Sequence, residues 1–410
     1  MKLRNQLLAL FCLLLFAVFG VFYFRTWVVQ KPFGIILFVT DGMITGHLAA
    51  ARLYEGGADH RLTIESFPHV ALLNNSARDF AVPDAASAAT ALATGTRVNH
   101  RNAGVDPDGR RLTTILELAK AQGRSIGLVT SGLLTDPAPA AFYAHLADAR
   151  DNEQAAAQFT EQVALDVALG GGTADFLPPE KGGRRSDGRD LAAELRHQGR
   201  DFVSSKADLE NAATFRTNGI VGLFAPTELA FRDNVEAGAQ QPSLSDMVRR
   251  AIQFLQVNRA GYVLVVDAAL VSRAAERNEG ERTITETLAF DHALSTALRY
   301  AGEKSLILAV GKHATGGLSL NGYPLRLDHG VALIGTTASG HPSLTWATGP
   351  KGPSPAASPR EAADEPAAFQ TPSGLNIAED VIAAGRGIGA EKLHGFLPNT
   401  AIFELLRESL

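Results

Sequence analysis

From Gly34 onward, short apolar runs alternate with longer amphipathic stretches that close on glycine. The runs 34–40, 69–73, 125–130, 219–224, 262–266 and 305–310 are dominated by Val, Ile and Leu and show little polar alternation. That is the pattern of strands buried on both faces of a parallel sheet. Between them, spacing predicts helices over 48–54, 84–93, 114–121, 153–169, 243–257 and 284–301. Asp84 stands in an N-cap position, and Gly56, Gly95, Gly123 and Gly170 follow predicted helix ends. Segment 350–372, rich in Pro, Ala and Ser, reads as irregular, and 398–410 as an amphipathic C-terminal helix. Strands separated by helices along the whole chain call for an α/β fold. Its large, mostly parallel central sheet would carry helices on both faces.

The N-terminus follows a different pattern. Leu7 to Phe24 is an unbroken apolar run preceded by Lys2 and Arg4. It is long enough to cross a bilayer and longer than a signal-peptide core. No small-residue cleavage site follows, because Phe22-Tyr-Phe-Arg-Thr-Trp27 is bulky throughout. The expectation is an uncleaved transmembrane helix and short linker over 1–31, with 32–410 as the folded domain. Arg25 and Lys31 flank the far end, so the positive-inside rule adds little. The bulk of the chain is expected outside the cytoplasm, periplasmic or extracellular, tethered to the membrane.

Composition narrows this picture only slightly. The chain has 410 residues, 46% of them hydrophobic and 20% charged, enough for a sizeable core. Its net charge of −5 is spread along the chain, and no basic footprint suggests nucleic acid. Cys12, the sole cysteine, lies in the N-terminal run, so the folded part has no disulfide.

Two predicted strands end in carboxylates, Asp41 (followed by Gly42) and Asp267. The carboxyl edge is where α/β sheets keep their sites, which makes Asp41 a candidate metal ligand. A cap on the next helix is the other reading of the same residue. No H-E-x-x-H, P-loop or strand-to-helix G-x-S-x-G elbow is present. His47, His60, His69, His100 and His329 lack ligand spacing and read as core or surface residues.

An ordered set of local strings carries more. They are Val39-Thr-Asp41-Gly-Met43, Asp84-Ala-Ala-Ser-Ala-Ala-Thr-Ala-Leu-Ala-Thr-Gly95, Thr114-Ile-Leu-Glu-Leu-Ala119 and Asp136-Pro-Ala-Pro-Ala-Ala-Phe-Tyr-Ala-His145. Leu169-Gly-Gly-Gly172, Val263-Leu-Val-Val-Asp267 and the strand running into His313 follow. In this order and spacing the chain resembles alkaline phosphatases over roughly residues 34–350, with the final helix in its expected place. The resemblance implies hydrolysis of phosphate monoesters with two zinc ions and one magnesium ion. A serine attacks phosphorus, the zincs activate it and stabilise the leaving oxygen, and an arginine holds the phosphoryl oxygens. It also implies a homodimer.

Position by position, the resemblance assigns Asp41 to the ligand bridging magnesium and the second zinc. Asp136 takes a magnesium-side carboxylate, Asp267 the place of a magnesium glutamate, and His313 a ligand of the second zinc. The departures are as telling. Ala85 occupies the nucleophile position, and Ser87 is turned about 200° away along the helix, as a small packing residue would be. Ala138 replaces a hydroxyl ligand. The phosphate-binding arginine aligns with Ala149, beside Arg150. That residue is either a phosphate contact restored by a one-residue insertion or a surface charge. Ser272 and Glu276 stand where the first zinc expects an aspartate and a histidine. Ala338 stands where it expects a further histidine, with His341 three residues on. Lys312 replaces a carboxylate ligand of the second zinc, and an ion pair with Asp41 would fill that metal's place. Arg273 would pair with Glu276 or a neighbour.

Two readings follow. The first is a membrane-tethered, catalytically impaired family member that binds a phosphate ester or another small ligand. The second is an active phosphomonoesterase with a reduced site, in which Asp41, Asp136 and Asp267 hold one hard cation such as magnesium and water is the nucleophile.

Overall fold

The computed structural model describes residues 2–23, 31–162, 165–215, 218–321, 342–353 and 365–410. The N-terminal apolar run forms the helix Lys2–Tyr23, exposed along its length and apolar enough to cross a membrane. Its composition fits an anchor or a signal sequence equally well.

Among the described residues the central sheet has ten strands. In chain order they are β1 Gly34–Thr40, β2 His69–Asn74, β3 Ser125–Leu133, β4 Val167–Gly171 and β5 Asp201–Val203. Then come β6 Ile220–Leu223, β7 Tyr262–Ala268, β8 Leu306–Gly311, β9 Val381–Arg386 and β10 Gly395–Pro398. Their spatial order is β10-β2-β9-β8-β1-β7-β3-β4-β6-β5. Only β9 runs antiparallel to its neighbours, so the sheet is mostly parallel as the apolar runs predict.

Alternation along β1 divides the core. Ile35, Leu37 and Val39 face the cluster built with the helices Ala85–Thr94, Ile115–Ala121 and Ala401–Glu408. Ile36 and Phe38 face the cluster under Thr45–Gly56, Leu244–Leu255 and Gly280–Tyr300. Every residue of β1, β7 and β8 is buried, which is why none shows polar alternation.

One predicted element is wrong. Residues 153–169 read as a single helix, but the helix is Asn152–Glu161, and Val167–Gly171 is β4, parallel to β3 and β6. A short apolar run carries no period that separates a buried strand from a buried helix turn. The glycines were the better signal. A Cβ on Gly171 would lie 2.1 Å from Thr227 O, an approach that a sheet edge under a crossing loop demands. Within the stretch read as irregular, Ala367–Gln370 is a strand, and 354–364 lie outside the described residues. The string Gly123-Arg-Ser125-Ile-Gly127 has G-x-S-x-G form, but Ser125 opens β3 at the amino edge and makes no elbow.

Candidate functional site

The register of three adjacent strands builds the site. β1 lies between β7 and β8, with Val39 opposite Asp267 and Thr40 opposite Gly311. All three strands therefore end at one level. Side chains two apart share a face, so Asp41 follows Val39, Asp267 follows Val265 and Lys312 follows Val310 onto the face covered by Ala85–Thr94. Thr130 arrives there by the same rule from β3, where it pairs with Asp267. Gly42 then turns the chain away at φ +76°, and a Cβ there would meet Thr315 Oγ1 at 2.8 Å. Only glycine leaves the site open at that corner.

Lys312 is the centre of the arrangement. Its fully buried Nζ lies 3.0 Å from Asp267 Oδ1 and 3.3 Å from Asp41 Oδ1. Its backbone is held by Thr40 O, 3.1 Å from Lys312 N, and by Asn75 Nδ2, 3.0 Å from Lys312 O. The other Asp267 oxygen accepts from Thr130 Oγ1 at 2.7 Å. Burial alone would lower the lysine's pKa, but Asp267 and Asp41 outweigh it and raise it, favouring the ammonium. Burial likewise opposes ionisation of Asp41. Lys312, His313 and Arg273 together overcome that penalty and keep its carboxyl below the usual range.

His313 Nε2 abuts Asp41 Oδ1, and neither atom has a hydrogen bond of acceptable geometry. On the other side of the ring, Thr315 Oγ1 lies 3.1 Å from Nδ1 and itself donates to Asn376 Oδ1 at 3.0 Å. Because Thr315 spends its only proton on Asn376, Nδ1 donates to Thr315.

Asp136 follows β3 and is buried beside the same cavity. Its Oδ2 accepts from Leu133 N at 3.0 Å, and Oδ1 pairs with Arg273 Nη2 at 3.0 Å. Burial, helped by Asp267 and Asp41, pushes it up to about 6 against the pull of Arg273 and the Leu133 N–H. Arg273 also reaches Glu276 at 3.6 Å, so the predicted pairing holds and Asp136 is the nearer partner. Glu276 is raised by burial against the pull of Arg273.

A cavity of about 110 Å³ opens over these groups, lined by Asp41, Ala85, Asp136, Arg273, Glu276 and His313 among others. Asp267 lies behind it, fully buried. Ala85 is thus at the cavity wall, as the alignment of motifs implies. Ser87 is not. Its backbone N and its hydroxyl both bond Asp84 Oδ1, at 2.8 and 2.7 Å, closing a capping box. Asp84 Oδ2 accepts from Arg101 N at 2.7 Å. Asp84→Ala should therefore cost about 1–2 kcal/mol, read from urea unfolding, through loss of the cap. Arg150 is absent from the cavity wall; it is exposed and forked onto Asp148 at the surface. Ala338, His341 and His329 lie outside the described residues.

Thr130, Asn75, Thr315 and Asn376 were not predicted. Thr130 could have been found as the polar end of an apolar strand. Asn376 could not, because it reaches the site from far along the chain on the two-residue strand Asn376–Ile377.

The residues present do not fit a zinc site. Among the described residues no three His, Cys, Asp or Glu side chains converge to hold a metal ion. A buried ammonium stands between two of the four carboxylate and imidazole candidates, and a guanidinium sits on a third.

The family model for alkaline phosphatase matches residues 34–410. Alkaline phosphatase 4 of Bacillus subtilis is 30% identical over 299 residues, covering 70% of this chain and 62% of its own. The human tissue-nonspecific isozyme is 28% identical over 339 residues, covering 71% of this chain and 64% of its own. The chain thus spans under two thirds of the length of these relatives. Among solved structures, Thermus thermophilus alkaline phosphatase superposes with a TM-score of 0.75 at 25% identity, over 93% of this chain and 92% of that one. The enzyme of the Antarctic bacterium TAB5 gives 0.73 at 22% identity, over 92% and 98%. Relatives of this kind typically depend on zinc and magnesium. Sequence, topology and the place of the cavity agree, and the chain belongs to the alkaline phosphatase family.

Proposed function

We propose that this chain is a membrane-tethered family member whose catalytic metal charges have been replaced by its own cations. The observation that carries the reading is Lys312 Nζ at 3.0 and 3.3 Å from Asp267 and Asp41. Ala85 supports it, since a methyl group cannot attack phosphorus. A metal-activated nucleophile and a charge-neutralising metal each lower a barrier by several kcal/mol, and about 1.4 kcal/mol is tenfold in rate. Without both, hydrolysis at the family's rate has no source. What remains is a small polar cavity with one guanidinium, one imidazole and three carboxyls, two of them raised by burial, suited to binding a phosphate ester or a similarly small polar molecule. The helix Lys2–Tyr23 would hold the domain at the membrane, outside the cytoplasm.

The test is metal content and aryl-phosphate turnover of the purified full chain. We expect less than one zinc per chain and no turnover that responds to added zinc or magnesium. Two zincs per chain, or magnesium-dependent turnover lost in Asp41→Ala, would overturn the reading in favour of a working hydrolase with water as its nucleophile.

A further inference from the structure

The amino edge of the sheet, opposite the cavity, carries an uneven charge. The turns entering β1, β7 and β8 expose Lys31, Arg259 and Lys304, and antiparallel β9 ends there on exposed Arg386. Strand register puts these turns side by side, with Gly34 opposite Tyr262, Ile35 opposite Leu306 and Arg386 opposite Ile307. Arg299 joins them from the last turn of Gly280–Tyr300. None of these five cations has an acidic ion-pair partner among the described residues; the acids beside them are Glu303, in the turn before β8, and Glu391, whose Oε2 accepts from Gly389 N at 3.0 Å in the turn after β9, so the five cations outnumber them. Neighbouring Lys120 and Lys392 are already neutralised, by Asp166 and Glu408. On a chain of net charge −5, this edge is locally positive. It also exposes two apolar side chains, Val257 and Ile388.

The tether arrives at this edge. Residues 24–30 link Tyr23 to Lys31, so the domain's entry point lies within about 28 Å of the end of the apolar helix. Lys31 Nζ donates to Tyr300 O at 2.7 Å, with Arg299 O and Ala301 O each 3.4 Å away, which fastens the entering chain to the end of a core helix. The linker itself carries Arg25 and Trp27, residue types that settle at the headgroup level.

We infer that the amino edge of the sheet, with Lys31, Arg259, Arg299, Lys304 and Arg386, is a docking face for an anionic phospholipid surface. The inference rests on the tether of the proposed function. Charge complementarity holds the edge down, and Val257 and Ile388 enter the headgroup layer. At about 3.3 Å per residue, β1 then lifts the Asp41 cavity roughly 23 Å from the lipid, facing solution. The cavity so held would draw its ligand from solution and not from the bilayer.

The test uses the full chain in nanodiscs of phosphatidylcholine alone or mixed with phosphatidylglycerol, with amide hydrogen exchange as the readout. Exchange over 257–261, 302–306 and 386–389 should slow several-fold only when the anionic lipid is present. About 1 M salt should reverse the effect, since it shortens the screening length from about 8 Å to about 3 Å. The triple variant Arg259→Glu, Lys304→Glu, Arg386→Glu should lose it while staying in the disc and melting as wild type. Equal exchange in both lipids would overturn the inference, as would protection that depends on protein concentration and not on lipid. A mature chain lacking residues 2–23 by mass would instead remove the tether itself, a result distinct from an anchored chain whose edge exchanges freely.

Discussion

Lys312→Met should lower folding stability by about 3–5 kcal/mol at pH 7, measured by urea unfolding of the full chain in detergent. The side chain is fully buried, and its ammonium is the direct counter-charge of Asp267 and Asp41. Removing one partner of a buried ion pair leaves the other charge desolvated without compensation, which costs far more than the pair itself was worth. Methionine keeps the volume, so the loss reports charge and not a cavity. The pH arm separates this from a packing effect. Asp41 has a folded pKa below its unfolded value, so its contribution is present above about pH 4 and lost as pH falls further. In Lys312→Met that contribution is gone at the outset. The gap between variant and wild type should therefore narrow at pH 3.5. A variant equally destabilised at both pH values would mean that Lys312 matters only for packing.

The same variant asks whether the lysine stands in for a metal. With the ammonium removed, Asp41 and Asp267 face each other with His313 and Asp136 close by. Anything that binds only the folded state raises its melting temperature in proportion to RT ln(1 + [L]/Kd). Millimolar magnesium should therefore raise the melting temperature of Lys312→Met and leave wild type unchanged. Identical responses of the two proteins would sink the substitution of lysine for metal.

How much of this was legible beforehand depends on the range of each interaction. Asp41 and Asp267 could be found because each terminates a run of buried residues, a purely local signal. That Lys312 meets Asp41 followed from opposite charge and the family order of strands. That Asp267 is the closer partner did not, because it depends on β7 and β8 both flanking β1 in one register, and register is set by packing over the whole sheet. Arg273 shows the same limit: its sequence neighbour Glu276 was foreseen, and Asp136, nearer in space, was not. Arg150 beside the family's arginine position forks onto its own neighbour Asp148, a local pair that spacing alone cannot tell from a ligand contact. β4 was missed because both candidate structures bury the same apolar run.

Glu286→Gln should stabilise the protein by up to about 3 kcal/mol at pH 8 and have little effect at pH 4.5. Glu286 is buried on the helix Gly280–Tyr300, on the sheet face opposite the Asp41 cavity, at the wall of a larger cavity of about 280 Å³. Burial pushes its carboxyl up to about 7, against the pull of the Arg232 N–H, which donates to Oε1 at 2.8 Å, and of the Arg232 charge. The folded-state value lies above the unfolded one. Between about pH 4.5 and 7 the unfolded chain releases this proton and the folded chain keeps it, so stability falls as pH rises through that window. Above pH 7 the full cost of a buried carboxylate is present. Glutamine keeps the hydrogen bond from Arg232 N and carries no charge, so it removes the cost without removing the contact. Asp136, raised to about 6, adds a slope of the same sign that Glu286→Gln would leave in place. The variant's stability curve should therefore flatten above pH 6 while retaining a decline below it. Parallel curves for variant and wild type from pH 4.5 to 8 would show that Glu286 is ionised throughout. That outcome would require the cavity beside it to hold water enough to solvate the charge.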